Sequence, residues 1–173
     1  MKPIFIVGFM GAGKSTFGKK LATKLKVEFL DLDQHIASVN GFKYLAEYIN
    51  TKGLSTFRQV ESELLKSLPN KPMVVATGGG TPCYFDNMTW MKQAGLVIYL
   101  KLDEGILISR LKQSDLSKRP LLKDKSPDEI TDYVHVLLKE RAPFFEDAPI
   151  TFCPQTDDLD ALVKQLKVYL KNN

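Results

Sequence analysis

The sequence predicts a three-layer α/β fold in which a five-stranded parallel sheet lies between layers of helices. Two observations carry this prediction. Five short apolar segments alternate with amphipathic stretches of helical period along the 173 residues, and strands separated by helices in this way are typical of parallel sheets covered on both faces. Polar or glycine-rich residues also follow four of the five segments, where parallel sheets bind their ligands.

The strands are the apolar segments, and the helices are the stretches between them with apolar residues on one face. The predicted strands lie at residues 3–9, 28–33, 72–80, 95–102 and 149–153. The predicted helices lie at residues 14–25, 34–50, 54–68, 85–93, 104–112, 127–141 and 157–171. The helix that starts after Ser126 has a proline and two carboxylates in its first turn, which is a typical start signal.

Composition narrows the class of protein. Hydrophobic residues make up 44% and the net charge is +4, which indicates a globular domain with a mild preference for anions. Basic residues are not interleaved with aromatics, so we expect no nucleic-acid partner. The two cysteines form no CxxC motif, and no apolar run approaches the ~18 residues of a membrane span. We therefore expect a single domain over residues 1–173, monomeric and cytoplasmic, with no membrane association and no signal peptide.

The strongest motif is GFMGAGKS at residues 8–15, which matches the phosphate loop G-x-x-x-x-G-K-[ST] between a strand and a helix. Gly8, Gly11 and Gly13 allow turns that a Cβ would block, so that backbone amides point at a phosphate. Lys14 can reach the outer phosphates, and the Ser15 hydroxyl is a suitable Mg²⁺ ligand. The motif predicts a nucleoside triphosphate but leaves the second substrate open.

Asp31 and Asp33 come at the end of the second predicted strand. Because side chains of a strand alternate between its faces, both carboxylates should point to one side. One could hold a Mg²⁺-bound water and the other a substrate hydroxyl. The alternative is structural, with Asp33 capping a helix over residues 34–40.

Four further features have a structural interpretation that the residues alone leave open. Arg58 and Glu61 lie one helical turn apart, and their structural interpretation is an exposed ion pair with no further role. The glycines at 78–80 could bring backbone amides close to a ligand, or only make a tight turn. Arg141 could bind a carboxylate as a two-pronged fork, or only pair with the end of its helix. The polar segment 113–125 contains Arg119 and could be a solvated surface loop.

Taken in order, these motifs resemble the shikimate kinases over nearly the whole chain. They are the phosphate loop, D-x-D, F-R-x-x-E, G-G-G, R-P-L-L and R-x-P. The resemblance implies a sheet of strand order 2-3-1-4-5 and a small-molecule kinase that uses ATP and Mg²⁺. It implies phosphorylation of the 3-hydroxyl of shikimate, a step in aromatic amino-acid biosynthesis. It also implies a substrate-binding helical region at about 33–61 and a mobile lid at about 113–125.

The resemblance assigns roles to residues of this sequence. Those implied to bind ATP are Gly11, Ala12, Gly13, Lys14, Ser15, Thr16, Arg110 and Arg119. Those implied to bind shikimate are Asp33, Arg58, Glu61, Gly78, Gly79, Gly80 and Arg141. Ser15 would hold Mg²⁺ directly and Asp31 through a water. Lys14, Asp33 and Arg119 would be catalytic, with Asp33 as the base, Glu61 positioning Arg58, and Arg110 packing on adenine, which residues 154–158 would border.

The chain departs from the family pattern at two positions. Leu54 stands where the family usually has glutamate, and Phe145 stands where it commonly has tyrosine. Two rival functions differ in the acceptor. A gluconate kinase would share the phosphate loop, whereas a nucleotide-dependent switch would have no acceptor pocket.

Overall fold

The computed structural model describes residues 2–116 and 121–172. Its strands are β1 (Ile4–Val7), β2 (Glu28–Asp31), β3 (Met73–Ala76), β4 (Leu96–Leu100) and β5 (Ile150–Phe152). Its helices are α1 (Lys14–Leu25), α2 (Leu32–Val39), α3 (Leu45–Lys52), α4 (Leu54–Ser67), α5 (Asn87–Ala94), α6 (Glu104–Lys112), α7 (Pro127–Glu146) and α8 (Leu159–Asn172). A single 3₁₀ turn, Thr81–Cys83, lies between β3 and α5.

The sheet is parallel and has the order β2-β3-β1-β4-β5, which confirms the predicted fold class and strand order. Consecutive residues of the central strand face opposite layers. The Phe5 ring meets Trp90 of α5 edge-on, whereas Ile6 lies against Gly18 of α1. Helices therefore cover both faces, and all strands end at one edge of the sheet. Within residues 2–116 and 121–172, every helix is too short or too polar to cross a membrane.

The prediction of one helix over residues 34–50 is wrong, because the chain forms two helices there. α2 ends at Val39 and α3 begins at Leu45. Asn40 caps α2 by donating its side-chain amide to the carbonyl of Ile36 at 2.8 Å, and Gly41 takes a left-handed φ of 77°. Asn-Gly is a turn signal that outweighed the apolar period on either side.

α7 begins as predicted and ends later than predicted. Ser126 and Glu129 form a reciprocal capping box at its start. The helix then runs through Pro143 to Glu146, although proline removes one backbone hydrogen bond from a helix interior. Continuation buries Phe145 completely and stacks it on Tyr99 of β4 with 5.4 Å between ring centroids. This packing against the sheet compensates for the lost bond, so Arg141 lies within the helix and not at its end.

Candidate active site

Two cavities open at the carboxyl ends of β1, β2 and β3, and they share part of their walls. The first is formed around the phosphate loop. The second has a volume of about 150 Å³ and lies against α3, α4 and α7. Met10, Asp33 and Gly79 line both cavities. Two ligands held side by side would therefore meet at these three residues.

The phosphate loop has the backbone that the motif predicts. Gly8, Gly11 and Gly13 have φ values of 147°, 80° and 91°, which L-residues with a Cβ rarely adopt. Gly13 is the N-cap of α1, so the start of this helix faces the cavity. Lys14 is buried, and its ammonium donates to the carbonyls of Gly8 at 2.8 Å and Phe9 at 3.0 Å. The loop and its lysine form a ready anion site.

We expect Gly8→Ala to destabilise the protein by about 2 kcal/mol or more, because the left-handed backbone is strained by a side chain. The new Cβ would also lie 2.7 Å from the carbonyl oxygen of Leu100 in β4, a backbone atom that cannot rotate away. Gly105→Ala in α6 is the matched control, since its Cβ meets nothing within 4 Å. Thermal unfolding should show a lower Tm for Gly8→Ala and an equal or higher Tm for Gly105→Ala. Equal losses in both variants would contradict the strain at Gly8.

The hydroxyl of Ser15 donates to the carboxylate of Asp31, so the two predicted Mg²⁺ residues lie together on the wall of the phosphate cavity. Both are hard oxygen donors of the kind that Mg²⁺ prefers. The structural alternative, in which Asp33 caps α2, is wrong about which aspartate forms the cap. Asp31, not Asp33, caps α2 by accepting from the backbone N–H of Gln34 at 3.2 Å. In the described residues, no group of three or more His, Cys, Asp or Glu side chains could hold a metal ion.

Asp33 lies in the first turn of α2 and not in a strand, because β2 ends at Asp31. Strand alternation therefore does not explain why both carboxylates face the same cavity; the strand-to-helix turn does. One carboxyl oxygen of Asp33 is buried and has no hydrogen-bond partner among the described residues. Burial, with the charges of Glu61 and Asp31, raises the pKa of Asp33 from 3.8 to about 7, against the opposing effect of Lys14 and Arg58.

Arg58 and Glu61 form a buried ion pair, so the exposed-pair interpretation is wrong. They are 8% and 0% exposed, and the guanidinium donates to the carboxylate at 2.6 Å. The guanidinium also lies over two rings, 4.7 Å from the centroid of Phe57 and 4.3 Å from that of Tyr84. The amphipathic pattern of α4 alone does not reveal this burial, because the covering residues come from the segment after β3.

That segment contains residues that sequence reasoning missed. The Thr81 hydroxyl donates to Glu61 at 2.6 Å, and the Asn87 side-chain amide donates to the Thr81 carbonyl at 2.9 Å. The Ser62 hydroxyl in turn donates to Asn87 at 2.7 Å. Thr81, Asn87 and Ser62 are all buried. Thr81 and Asn87 are polar residues that follow a glycine triplet, and this is the one signal in the sequence that could have found them.

The three glycines leave room for the charged groups around them. A Cβ on Gly78 would lie 2.8 Å from a carboxyl oxygen of Asp33 and 2.8 Å from one of Glu61. A Cβ on Gly80 would lie 2.6 Å from the guanidinium of Arg58. The close approach expected for these glycines is therefore made to charged side chains at Gly78 and Gly80, and to the backbone nitrogen of Met10 at Gly79, where a Cβ would lie 2.9 Å from it. Gly78, Gly79 and Gly80 all line the second cavity.

The two remaining arginines of the described site lie on opposite sides of it. Arg141 is 7% exposed, lines the second cavity and donates to the carbonyl of Gly79 at 3.1 Å. Arg110 of α6 is exposed and donates to the carbonyl of Ala12 at 3.2 Å, which places it beside the phosphate loop. Arg119 lies outside the described residues, as do Ser117, Lys118 and Pro120 of the predicted lid.

The second cavity also has apolar walls, which the polar motifs did not predict. Leu45, Ile49, Phe57, Leu121 and Leu122 line it together with Leu54. Leu122 is fully buried, whereas Leu121 is 39% exposed. Leu121 and Leu122 therefore close the wall of this cavity just beyond residue 120. Of the two family departures, Leu54 lines this cavity and Phe145 does not.

Comparison with known proteins relates this chain to the shikimate kinases. The family model described as shikimate kinase matches residues 10–171. A shikimate kinase from Bacteroides fragilis is 37% identical over 172 residues, covering 96% of this chain and 95% of that protein. The crystal structure of shikimate kinase from Bacteroides thetaiotaomicron matches with a TM-score of 0.82 at 34% identity, covering 98% of both chains.

A second solved structure adds a bound ligand to the comparison. The Acinetobacter baumannii shikimate kinase, solved in complex with shikimate, matches with a TM-score of 0.83 at 32% identity. The match covers 100% of this chain and 95% of the Acinetobacter baumannii chain. Sequence and fold agree over the full length, and the chain belongs to the shikimate kinase family.

Proposed function

We propose that this protein transfers the γ-phosphoryl group of ATP to the 3-hydroxyl of shikimate, giving shikimate 3-phosphate and ADP. The observation that carries the proposal is the position of Asp33, which lines both the phosphate cavity and the acceptor cavity. A hydroxyl held in the second cavity would face a phosphate held in the first. Its proton acceptor would lie at the junction between them.

The transfer forms a bond between the acceptor oxygen and the γ-phosphorus and breaks the bond from that phosphorus to the β-γ bridging oxygen. The hydroxyl proton passes to Asp33, whose raised pKa of about 7 suits a group that must take up a proton near neutral pH. Phosphoryl transfer otherwise depends on positioning and charge neutralisation. Lys14 supplies positive charge at the loop, and the amides of residues 11–16 surround the phosphates.

The acceptor is a small carboxylic acid with several hydroxyls, and the second cavity provides matching groups. Arg58 and Arg141 are two buried guanidiniums on its wall, and guanidinium binds carboxylate through paired hydrogen bonds. Gly78, Gly79 and Gly80 border the same space. The apolar wall suits the face of a carbon ring.

The nucleotide side follows the phosphate loop. Ser15 and Asp31 would hold Mg²⁺, directly and through water, and the ion when bound would neutralise phosphate charge. Arg110 would pack on the adenine, with residues 154–158 along its edge. We further propose that residues 113–125 form a lid that brings Arg119 to the phosphates, within one domain spanning residues 1–173 whose helical region 33–61 receives the acceptor.

The experiment that tests the function is a screen of acceptors with ATP and Mg²⁺ under coupled detection of ADP. We expect turnover with shikimate and none with gluconate. Turnover on gluconate but not on shikimate would indicate the rival kinase. ATP consumption unchanged by any acceptor would indicate a nucleotide-dependent switch. Omission of Mg²⁺ should abolish turnover on shikimate.

We also expect the enzyme to act as a cytoplasmic monomer. Light scattering coupled to size-exclusion chromatography should give the mass of one chain, 19.5 kDa. A mass of two chains would contradict this expectation without affecting the proposed reaction.

A further inference from the structure

We propose that the segment from Thr81 to Asn87 is a positioning element for the acceptor site, which holds Arg58 in the orientation that binds the substrate carboxylate. Thr81 acts through Glu61, and Tyr84 acts through its ring. Neither residue touches the acceptor-side cavity. The inference rests on the proposed role of Arg58 and adds residues to it.

The first part of the element is a hydrogen-bond chain. Glu61 is completely buried and has two partners, one on each carboxylate oxygen: Arg58 at 2.6 Å and the Thr81 hydroxyl at 2.6 Å. A buried carboxylate needs donors for its oxygens, since water cannot replace them. The Thr81 hydroxyl therefore satisfies one oxygen of Glu61 and fixes the direction of the other oxygen, which faces Arg58.

This hydrogen-bond chain continues to Asn87 at the start of α5 and from there back to α4. Asn87, at the start of α5, holds the Thr81 carbonyl and accepts from Ser62, which lies on the same helix as Arg58 and Glu61. The helix that carries the arginine and the turn that orients it are thus joined at two points. A relative shift between them would break both contacts.

The second part is the Tyr84 ring, whose centroid lies 4.3 Å from the Arg58 guanidinium, while the centroid of Phe57 lies 4.7 Å from it. Arginine on an aromatic face gains from cation–π attraction and loses freedom of its planar group. The next residue, Phe85, takes a left-handed φ of 51° and is 65% exposed. Such a backbone is uncommon for a non-glycine residue, and here it separates the stacked Tyr84 from the buried Asn87.

The arrangement leaves Arg58 able to bind a further anion. Only one N–H of its guanidinium reaches Glu61, and its Nε has no hydrogen-bond partner in the described part of the chain. A buried donor without an acceptor is rare in folded proteins. Arg58 also lines the adjacent cavity, so the guanidinium N–H groups that do not reach Glu61 are available to a substrate carboxylate held there.

The test compares Thr81→Val with Thr81→Ser, because valine keeps the shape and serine keeps the hydroxyl. We expect Thr81→Val to raise the KM for shikimate about tenfold, with kcat and the KM for ATP changed less than about twofold. Thr81→Ser, which keeps the hydroxyl, should have a KM for shikimate close to that of the wild type. With the primary carboxamide of shikimate as acceptor, Thr81→Val should have little effect, because no carboxylate is there for Arg58 to bind.

Arg58→Met separates this inference from the proposed carboxylate role. The Thr81→Val effect should disappear in the Arg58→Met background, since residues that act as a unit are not additive. If Arg58→Met leaves the KM for shikimate unchanged, the carboxylate role itself fails. If Arg58→Met raises it but Thr81→Val does not, the positioning role of Thr81 is overturned.

Tyr84 provides a second arm that does not depend on the folding of the Thr81 variants. Tyr84→Leu should raise the KM for shikimate selectively, and Tyr84→Phe, which keeps the ring, should not. A Tyr84→Leu enzyme that loses affinity equally for shikimate and ATP would indicate a general structural role and overturn the positioning role of the ring.

Discussion

Asp33→Asn is expected to lower kcat about 10²- to 10⁴-fold, the range in which loss of a general base acts. Asparagine has nearly the same shape and keeps an oxygen that can accept from a hydroxyl, so the KM for shikimate should change far less than kcat. Steady-state kinetics with each substrate varied in turn would measure both constants. Retention of more than about half of the wild-type kcat would exclude Asp33 as the base.

The pH dependence of the wild-type enzyme should identify the same group. Burial, with Glu61 and Asp31, raises the pKa of Asp33 to about 7, and the base must be deprotonated to act. The kcat/KM for shikimate should therefore rise from about pH 6 to about pH 8. In Asp33→Asn this rise should be absent. A rise that persists in the variant would belong to another group.

The same shift predicts that Asp33→Asn stabilises the folded protein at alkaline pH. The unfolded carboxyl titrates near 3.8 and the folded one near 7, so the folded state of the wild type binds more protons between these values. Its stability falls as pH rises through this window, because the charged form is disfavoured where it is buried. The Tm advantage of Asp33→Asn should be absent below about pH 4 and complete above about pH 7.

Asp160→Asn is the matched control for that stability effect. A hydrogen bond and ion pair with Lys24 lower the pKa of this exposed carboxyl, the opposite direction to Asp33. Asp160→Asn should therefore leave kcat unchanged and should not raise the Tm at any pH. A similar Tm gain in both variants would mean that net charge, and not burial, is responsible.

Arg141→Ala is expected to raise the KM for shikimate about 10- to 100-fold, the range for loss of hydrogen bonds to a charged group. Arg141 is buried and already held by the carbonyl of Gly79 at 3.1 Å, so its guanidinium needs little ordering to bind. The KM for ATP should change less than about twofold. Arg141→Lys should recover only part of the affinity, because lysine cannot form two parallel bonds with a carboxylate.

Arg110→Ala is the reciprocal control, since Arg110 lies beside the phosphate loop and outside the acceptor cavity. It should raise the KM for ATP and leave that for shikimate nearly unchanged. Together the two variants separate the two sides of the site. Equal losses for both substrates in Arg141→Ala would count against its role in carboxylate binding.

Where the sequence was read correctly, the signal was local. The start of α7 follows from a proline and a capping box, and the phosphate loop from glycines whose left-handed φ values only that residue tolerates easily. At the end of α7, where the prediction was wrong, a distant contact outweighed the local pattern. Burial of Phe145 against β4 carried α7 through Pro143.

Residue order alone determined the fold class, the phosphate loop and the series of motifs that resembles one kinase family, because these depend on period, spacing and backbone tolerance. Tertiary structure decided what surrounds each charged group. Arg58 and Glu61 form a buried pair because a turn 20 or more residues further along the chain supplies Thr81 and Tyr84. The pKa of Asp33 is raised because the fold buries this carboxyl and brings Glu61 of α4 close to Asp33 and its neighbour Asp31. Burial by residues that are distant in sequence produces no periodic pattern of apolar residues, so the sequence alone does not predict it.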